Sequence, residues 1–108
     1  MERYALKTPL AWRHIKHRYG ITKEEYIALY ERQRGVCAIS GIPLSLERKP
    51  KEGTKYAVVD HDHETGVVRG LLCPRINVAL GAFNDDPELL RKTADYIEKH
   101  QQNKPKEK

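Results

Sequence analysis

The stretch that most constrains this chain runs from Tyr56 to Cys73. Two β-rich runs, Tyr56-Ala-Val-Val59 and Val67-Val-Arg-Gly-Leu-Leu72, flank His61-Asp-His-Glu-Thr-Gly66. Apolar runs separated by a short polar segment with glycine predict a β-hairpin. Asp60 closes the first run, so Asp60-His-Asp-His63 places four groups able to bind metal or handle protons at four consecutive positions. Strand alternation points Asp60 and Asp62 one way and His61 and His63 the other, unless the nearby turn breaks the pleat.

The flanking sequence supplies helices. Leu10 to Tyr19 reads as a short basic helix stopped by Gly20, and Thr22-Lys-Glu-Glu25 fits a capping box that starts a second. Tyr26, Ile27, Leu29 and Tyr30 give the second helix an apolar face, and Gly35 ends it, so the N-terminal helices occupy 10–34. Residues 36–55 read as an irregular knuckle and exposed basic loop, punctuated by Gly41, Pro43, Pro50 and Gly53 and carrying Arg48, Lys49, Lys51 and Lys55. After the hairpin a helix begins at Pro74, with Ile76, Ala79 and Leu80 on one face, and stops near Gly81, which gives a ββα unit over 56–82. Asp86-Pro87 is an N-cap followed by proline at the first helical position. It opens a helix over 86–100, with Leu90, Ala94 and Ile97 aligned, and 101–108 form a polar tail. The expected fold is a small α+β single domain over 1–100.

A chain of 108 residues is too short for two such domains. Charged residues make up 32% and mean hydropathy is −0.74, and no apolar run approaches the roughly 20 residues that span a bilayer. No membrane partner is expected. The first residues contain no apolar stretch of signal-peptide length, so a cytoplasmic location is expected. The net charge of +5 is uneven: residues 1–55 hold 12 basic and 6 acidic side chains. A basic half beside a near-neutral one suggests a polyanion-binding face.

Asn77, on the first turn of the helix after the hairpin, adds an amide oxygen to the carboxylate of Asp60. Such hard oxygen ligands suit Mg²⁺ or Mn²⁺, which keep several waters and accept substrate phosphate. An imidazole beside them has the basicity to take a proton from water near neutral pH. The bland alternative is a solvated turn with surface histidines and an Asn77 that bonds the hairpin backbone.

The run Asp60-His-Asp-His-Glu-Thr-Gly-Val-Val-Arg-Gly-Leu-Leu-Cys73, with Asn77 and Leu80-Gly81 after it, resembles the phage recombination endonuclease VII family. That family belongs to the His-Asn-His (HNH) group of ββα-metal nucleases. Flanking segments share the likeness, from Arg18-Tyr-Gly-Ile-Thr and Gly35-Val-Cys-Ala-Ile to Asp85-Asp-Pro-Glu-Leu-Leu and Ala94-Asp-Tyr-Ile, so it covers about residues 14 to 100. The resemblance implies a metal-dependent DNA endonuclease, in a bacterial or phage-infected cell, that nicks or cleaves duplex or branched DNA and leaves 5′-phosphate and 3′-hydroxyl ends. It makes Asp60 and Asn77 the metal ligands, His61 the general base and His63 a holder of the scissile phosphate. Asp62 is left to support the hairpin or the metal's outer shell. Arg69 and Arg75 flank the site and, with Arg48, Lys49, Lys51 and Lys55, are candidates for phosphate contact. A catalytically silent DNA-binding module with the same fold is the alternative, and the assembly expected is a monomer or small homodimer.

The chain departs from that family's pattern in its cysteines. Most members carry two C-x-x-C pairs around a structural zinc, whereas the matching positions here are Cys37, Ser40, Cys73 and Ile76. Ile76 offers no ligand and Ser40 a poor one, so structural Zn²⁺ is not expected. Cys37 and Cys73 are left either as two buried thiols or as a disulfide.

Overall fold

In the computed structural model, residues 15–47 and 52–101 are described. The basic-loop residues Arg48, Lys49 and Lys51, the start of the N-terminal helix at 10–14, and all but the first residue of the 101–108 tail lie outside them. The described chain forms two compact units, one ending at Asn77 and one beginning at Val78.

In the first unit, residues 15–19 are helical (α1) and Gly20 closes them, its N–H bonded to the Lys16 carbonyl at 2.8 Å. Helix α2 (Lys23–Arg32) starts at the capping box read from the sequence. Thr22 Oγ1 accepts from the Glu25 N–H at 3.1 Å and Glu25 Oε1 accepts from the Thr22 N–H at 2.8 Å, so two otherwise unpaired donors are satisfied reciprocally. Tyr26 is the buried residue of this helix. The chain leaves α2 through left-handed Arg34 and Gly35, with φ of 59° and 72°. At Gly35 a Cβ would also come within 3.1 Å of the Tyr30 hydroxyl, so backbone conformation and space both favour glycine there.

The segment expected to be irregular carries more order than its composition signals. Strands β1 (Leu44–Ser45) and β2 (Lys55–Tyr56) pair in parallel, and Val36 bridges Pro43. The parallel pairing joins residues ten or more positions apart, which local composition does not signal. Leu44, Ser45 and Leu46 are buried.

Strands β3 (Val58–His61) and β4 (Val68–Leu72) form the hairpin, antiparallel, in the register Val58 to Leu72, Val59 to Leu71 and Asp60 to Gly70. The register then slips, and His61 lies opposite Val68. This irregularity places the polar residues just beyond the well-paired part of the ladder. The hairpin's inner residues, Val59, Leu71 and Leu72, join Tyr26, Cys37, Leu44, Leu46, Ala57 and Cys73 in the core.

Helix α2 is tied to β4 by Gln33. Its Nε2 donates to the carbonyls of Val36 (2.8 Å) and Leu71 (3.0 Å), and its Oε1 accepts from the Leu71 N–H at 2.9 Å. A side-chain amide thus serves as a one-residue strand beside β4. Gly70 makes room for it, since a Cβ there would lie 2.9 Å from Gln33 Oε1.

Helix α3 (Pro74–Ala82) follows β4 after one residue, with proline at its first position where no N–H is needed. In the second unit, α4 (Pro87–Gln101) opens as read from the sequence, with Asp86 Oδ1 accepting from the N–H groups of Glu88 (3.0 Å) and Leu89 (3.3 Å). Its apolar positions bury less than their alignment suggested. Leu90 is half-buried while Leu89, Tyr96 and Ile97 are exposed; a unit of so few residues encloses little surface. Among the described residues no helix is long and apolar enough to cross a membrane.

Candidate functional site

Asp60 is the last residue before the slip in the β3–β4 ladder and, at 8% exposure, one of the two buried polar residues among those described. A carboxylate taken out of water needs a charged or hydrogen-bonding partner. Arg69, on the neighbouring strand, provides it: Nε donates to Asp60 Oδ2 at 2.8 Å and a terminal nitrogen donates to Oδ1 at 3.1 Å. Both carboxylate oxygens are therefore engaged by one guanidinium fork, the strong side-on form of this pair.

His61 and His63 lie on one side of the hairpin, as alternation predicts, with parallel rings 4.9 Å apart and inclined by 10°. The other neighbour of His61 is Tyr19, at 5.5 Å and 54°, and the guanidinium of Arg18 sits 5.7 Å from the Tyr19 ring. The half-buried imidazole of His61 is thus held between two aromatic rings.

Asp62 belongs to the turn. Its carboxylate accepts from the N–H groups of Glu64 (2.8 Å) and Thr65 (2.9 Å) while its backbone closes the loop to Val67 and Gly66. The bonds from the Thr65 and Glu64 amides hold its carboxyl below the usual range, because they favour the charged form.

Asn77 is half-buried on the first turn of α3, where its N–H donates to the Cys73 carbonyl at 3.1 Å. Its side chain is not hydrogen-bonded to Asp60 or Arg69. Arg75 is exposed at the start of the same helix and Lys55 is exposed on β2. Among the described residues, no three His, Cys, Asp or Glu side chains converge as a ready cage for a metal. A divalent cation that retains most of its water does not require one. The Asp60 carboxylate and the Asn77 amide oxygen are hard donors of the kind such an ion takes, and both Asp60 oxygens already face Arg69. In donor type these residues fit a hydrated Mg²⁺ or Mn²⁺.

Of the four positions that match the family's zinc ligands, Cys37 and Cys73 are free, buried thiols. The Ser40 N–H points at Cys37 Sγ (3.4 Å), and Ser40 Oγ lies 3.8 Å from Cys73 Sγ. Burial alone would push the Cys37 thiol up, but bonds from the Ser40 side chain and from the backbone N–H groups of Ser40, Cys73 and Ile39 outweigh it and bring it from 9.0 to about 7. Ile76 is half-buried on α3.

Sequence reasoning missed two partners in this site. Tyr19 was legible only as the last residue of a basic helix. Arg69 stood as a candidate phosphate ligand; it is the extra residue of β4 between Gly70, which faces Asp60, and Val68, which faces His61.

The model of the recombination endonuclease VII family matches residues 12–99. The Gene 59 protein of Mycobacterium phage D29 is 41% identical over 97 residues, covering 88% of this chain and 54% of that protein. The Gene 59 protein of Mycobacterium phage L5 is 40% identical over 80 residues, covering 73% of this chain and 44% of that protein. The chain thus spans about half the length of the curated relatives it matches. No solved structure matches it.

Proposed function

Because this chain belongs to the recombination endonuclease VII family, we propose that it is a metal-dependent DNA endonuclease of the HNH type, working in the cytoplasm of a bacterial or phage-infected cell. The observation that carries the reading is the end of the hairpin, where a nearly buried, cation-compensated carboxylate at Asp60 is followed directly by an imidazole, His61, braced between Tyr19 and His63.

In this reading His61 takes the proton from the attacking water, and its stacking partners fix the plane in which the accepting nitrogen lies. His63, exposed at the rim, is placed to hold the scissile phosphate. Asp60 and Asn77 would hold Mg²⁺ or Mn²⁺, which when bound supplies charge neutralisation at the departing 3′ oxygen. Phosphoryl transfer needs positioning and charge compensation more than covalent help, and these side chains offer both. The products are a 5′-phosphate and a 3′-hydroxyl. Asp62 serves by keeping the turn short and closed. The exposed cations Lys55 and Arg75, with Arg48, Lys49 and Lys51 of the basic loop, track the DNA backbone. A structural zinc forms no part of the reading, since two thiolates, a hydroxyl and an isoleucine do not make a tetrahedral site. The active form is a monomer or small homodimer.

The test is incubation with supercoiled plasmid, linear duplex and a branched junction, each with Mg²⁺, Mn²⁺ or EDTA. Cleavage that needs the cation and leaves ligatable 5′-phosphate ends is expected. DNA binding without cleavage under every condition would instead favour a silent binding module.

A further inference from the structure

The ion pair between Asp60 and Arg69 has a peculiarity for a residue assigned to metal binding. The two oxygens of Asp60 both face the same guanidinium, at 2.8 and 3.1 Å, so the carboxylate already holds a cation. A hard divalent ion takes carboxylate oxygens at about 2.0–2.1 Å, closer than the guanidinium nitrogens stand. Two positive groups on one small anion repel each other, more so where water is scarce.

Building on the metal-dependent reading above, we propose that Arg69 is a resident cation that competes with the divalent ion for Asp60. Arg69 is the partner that moves. Its side chain is 38% exposed, against 10% for that of Asp60, so the guanidinium has a path to solvent while the carboxylate stays in the hairpin. The arginine also keeps the buried carboxylate compensated until a metal ion arrives. Once displaced, its planar fork matches a phosphate as well as it matched the carboxylate, so loading of the site frees an arginine for DNA beside the reacting group. Arg69 is thus a positioning residue for Asp60 and a restraint on metal affinity.

The proposal is tested without turnover. Mg²⁺ binding in the absence of DNA is measured by calorimetry, and Mn²⁺ binding by loss of the free-ion EPR signal, for the wild type, Arg69→Ala and Arg69→Lys. Removing the competitor should tighten binding about tenfold or more in Arg69→Ala, the range that corresponds to losing a hydrogen-bonded charged competitor. Arg69→Lys, which keeps a charge but not the fork, should fall between. In the wild type the ¹⁵N signal of the Arg69 Nε–H should shift as Mg²⁺ is added, a readout that stands even if a variant does not fold. Equal metal affinity in wild type and a folded Arg69→Ala, or an Arg69 signal unmoved at saturating Mg²⁺, overturns the competition and leaves the nuclease reading intact. Absence of cation binding in both proteins overturns the metal-dependent reading and the competition together.

Discussion

Gln33→Ala is the substitution whose effect follows most directly from the geometry. The side chain gives Leu71 both a donor and an acceptor, at 3.0 and 2.9 Å, and bonds the Val36 carbonyl at 2.8 Å. Leu71 is 0% exposed and its C=O also accepts from the Ala38 N–H at 3.2 Å, so alanine leaves the Leu71 N–H with neither partner nor water. A buried backbone group left unpaired costs about 1–3 kcal/mol, so the Leu71 N–H predicts a loss in that range. That is a large share of the stability of a domain this size, commonly about 5–15 kcal/mol. It corresponds to a fall in melting temperature of about 5–20 °C. Urea denaturation followed by circular dichroism measures it, with Gln33→Glu as companion. The glutamate keeps an acceptor for the Leu71 N–H and loses the donor, so it should lose less than alanine. A loss below about 0.5 kcal/mol for Gln33→Ala would refute the reasoning, because it would mean that water reaches Leu71 and that α2 is held to β4 by other contacts.

His61→Ala should lower the cleavage rate at least about a hundredfold, the lower end of general-base catalysis, with duplex binding retained in a gel-shift assay; near-normal cleavage would remove His61 from the mechanism. Asn77→Ala should raise the midpoint of Mg²⁺ activation, and an unchanged midpoint would move the second ligand elsewhere. The Cys37 thiol, at about 7 in the fold and 9.0 ordinarily, binds fewer protons folded than unfolded between those values. Stability from this group is therefore fully present above pH 9 and is lost as pH falls through 7. Thermal melts across that window should show a rise with pH that Cys37→Ala lacks, and parallel curves would contradict the assignment. DNA affinity should fall steeply with salt, and neutralising Lys51 and Lys55 together should flatten the log–log slope by about 2 if each meets a phosphate; an unchanged slope would make the loop a solvated face.

The features legible in the sequence were those decided by neighbours along the chain. The capping box at Thr22 and Glu25, the turn signalled by Gly66 and the Asp86-Pro87 start of α4 each depend on residues within four positions. The hairpin and the helix after it were legible for the same reason, and with them the grouping of Asp60, His61 and His63 at one strand end. What was not legible depends on contacts between distant residues. The parallel pairing of β1 with β2 joins residues on either side of a loop whose composition reads as coil. Gln33 lies 38 positions from Leu71, and nothing local marks a surface-type residue as a strand surrogate. The Asp60–Arg69 pair required the register, and the slip after Asp60 is a one-residue irregularity that alternating hydrophobicity does not specify.

The slip between Asp60 and His61 also divides responsibility for the chemistry. Asp60 and His61 are placed by β4, through Gly70, Arg69 and Val68, whereas His63 belongs to a five-residue turn, 62–66, closed on itself by Asp62. The carboxylate and the His63 imidazole therefore answer to separate local folds. A transplanted turn that kept the spacing and the Asp62 closure would re-aim His63 while Asp60 stayed where the ladder puts it. The hairpin is in this sense a socket with an exchangeable tip, in which phosphate grip can be altered without redesigning the acidic half of the site.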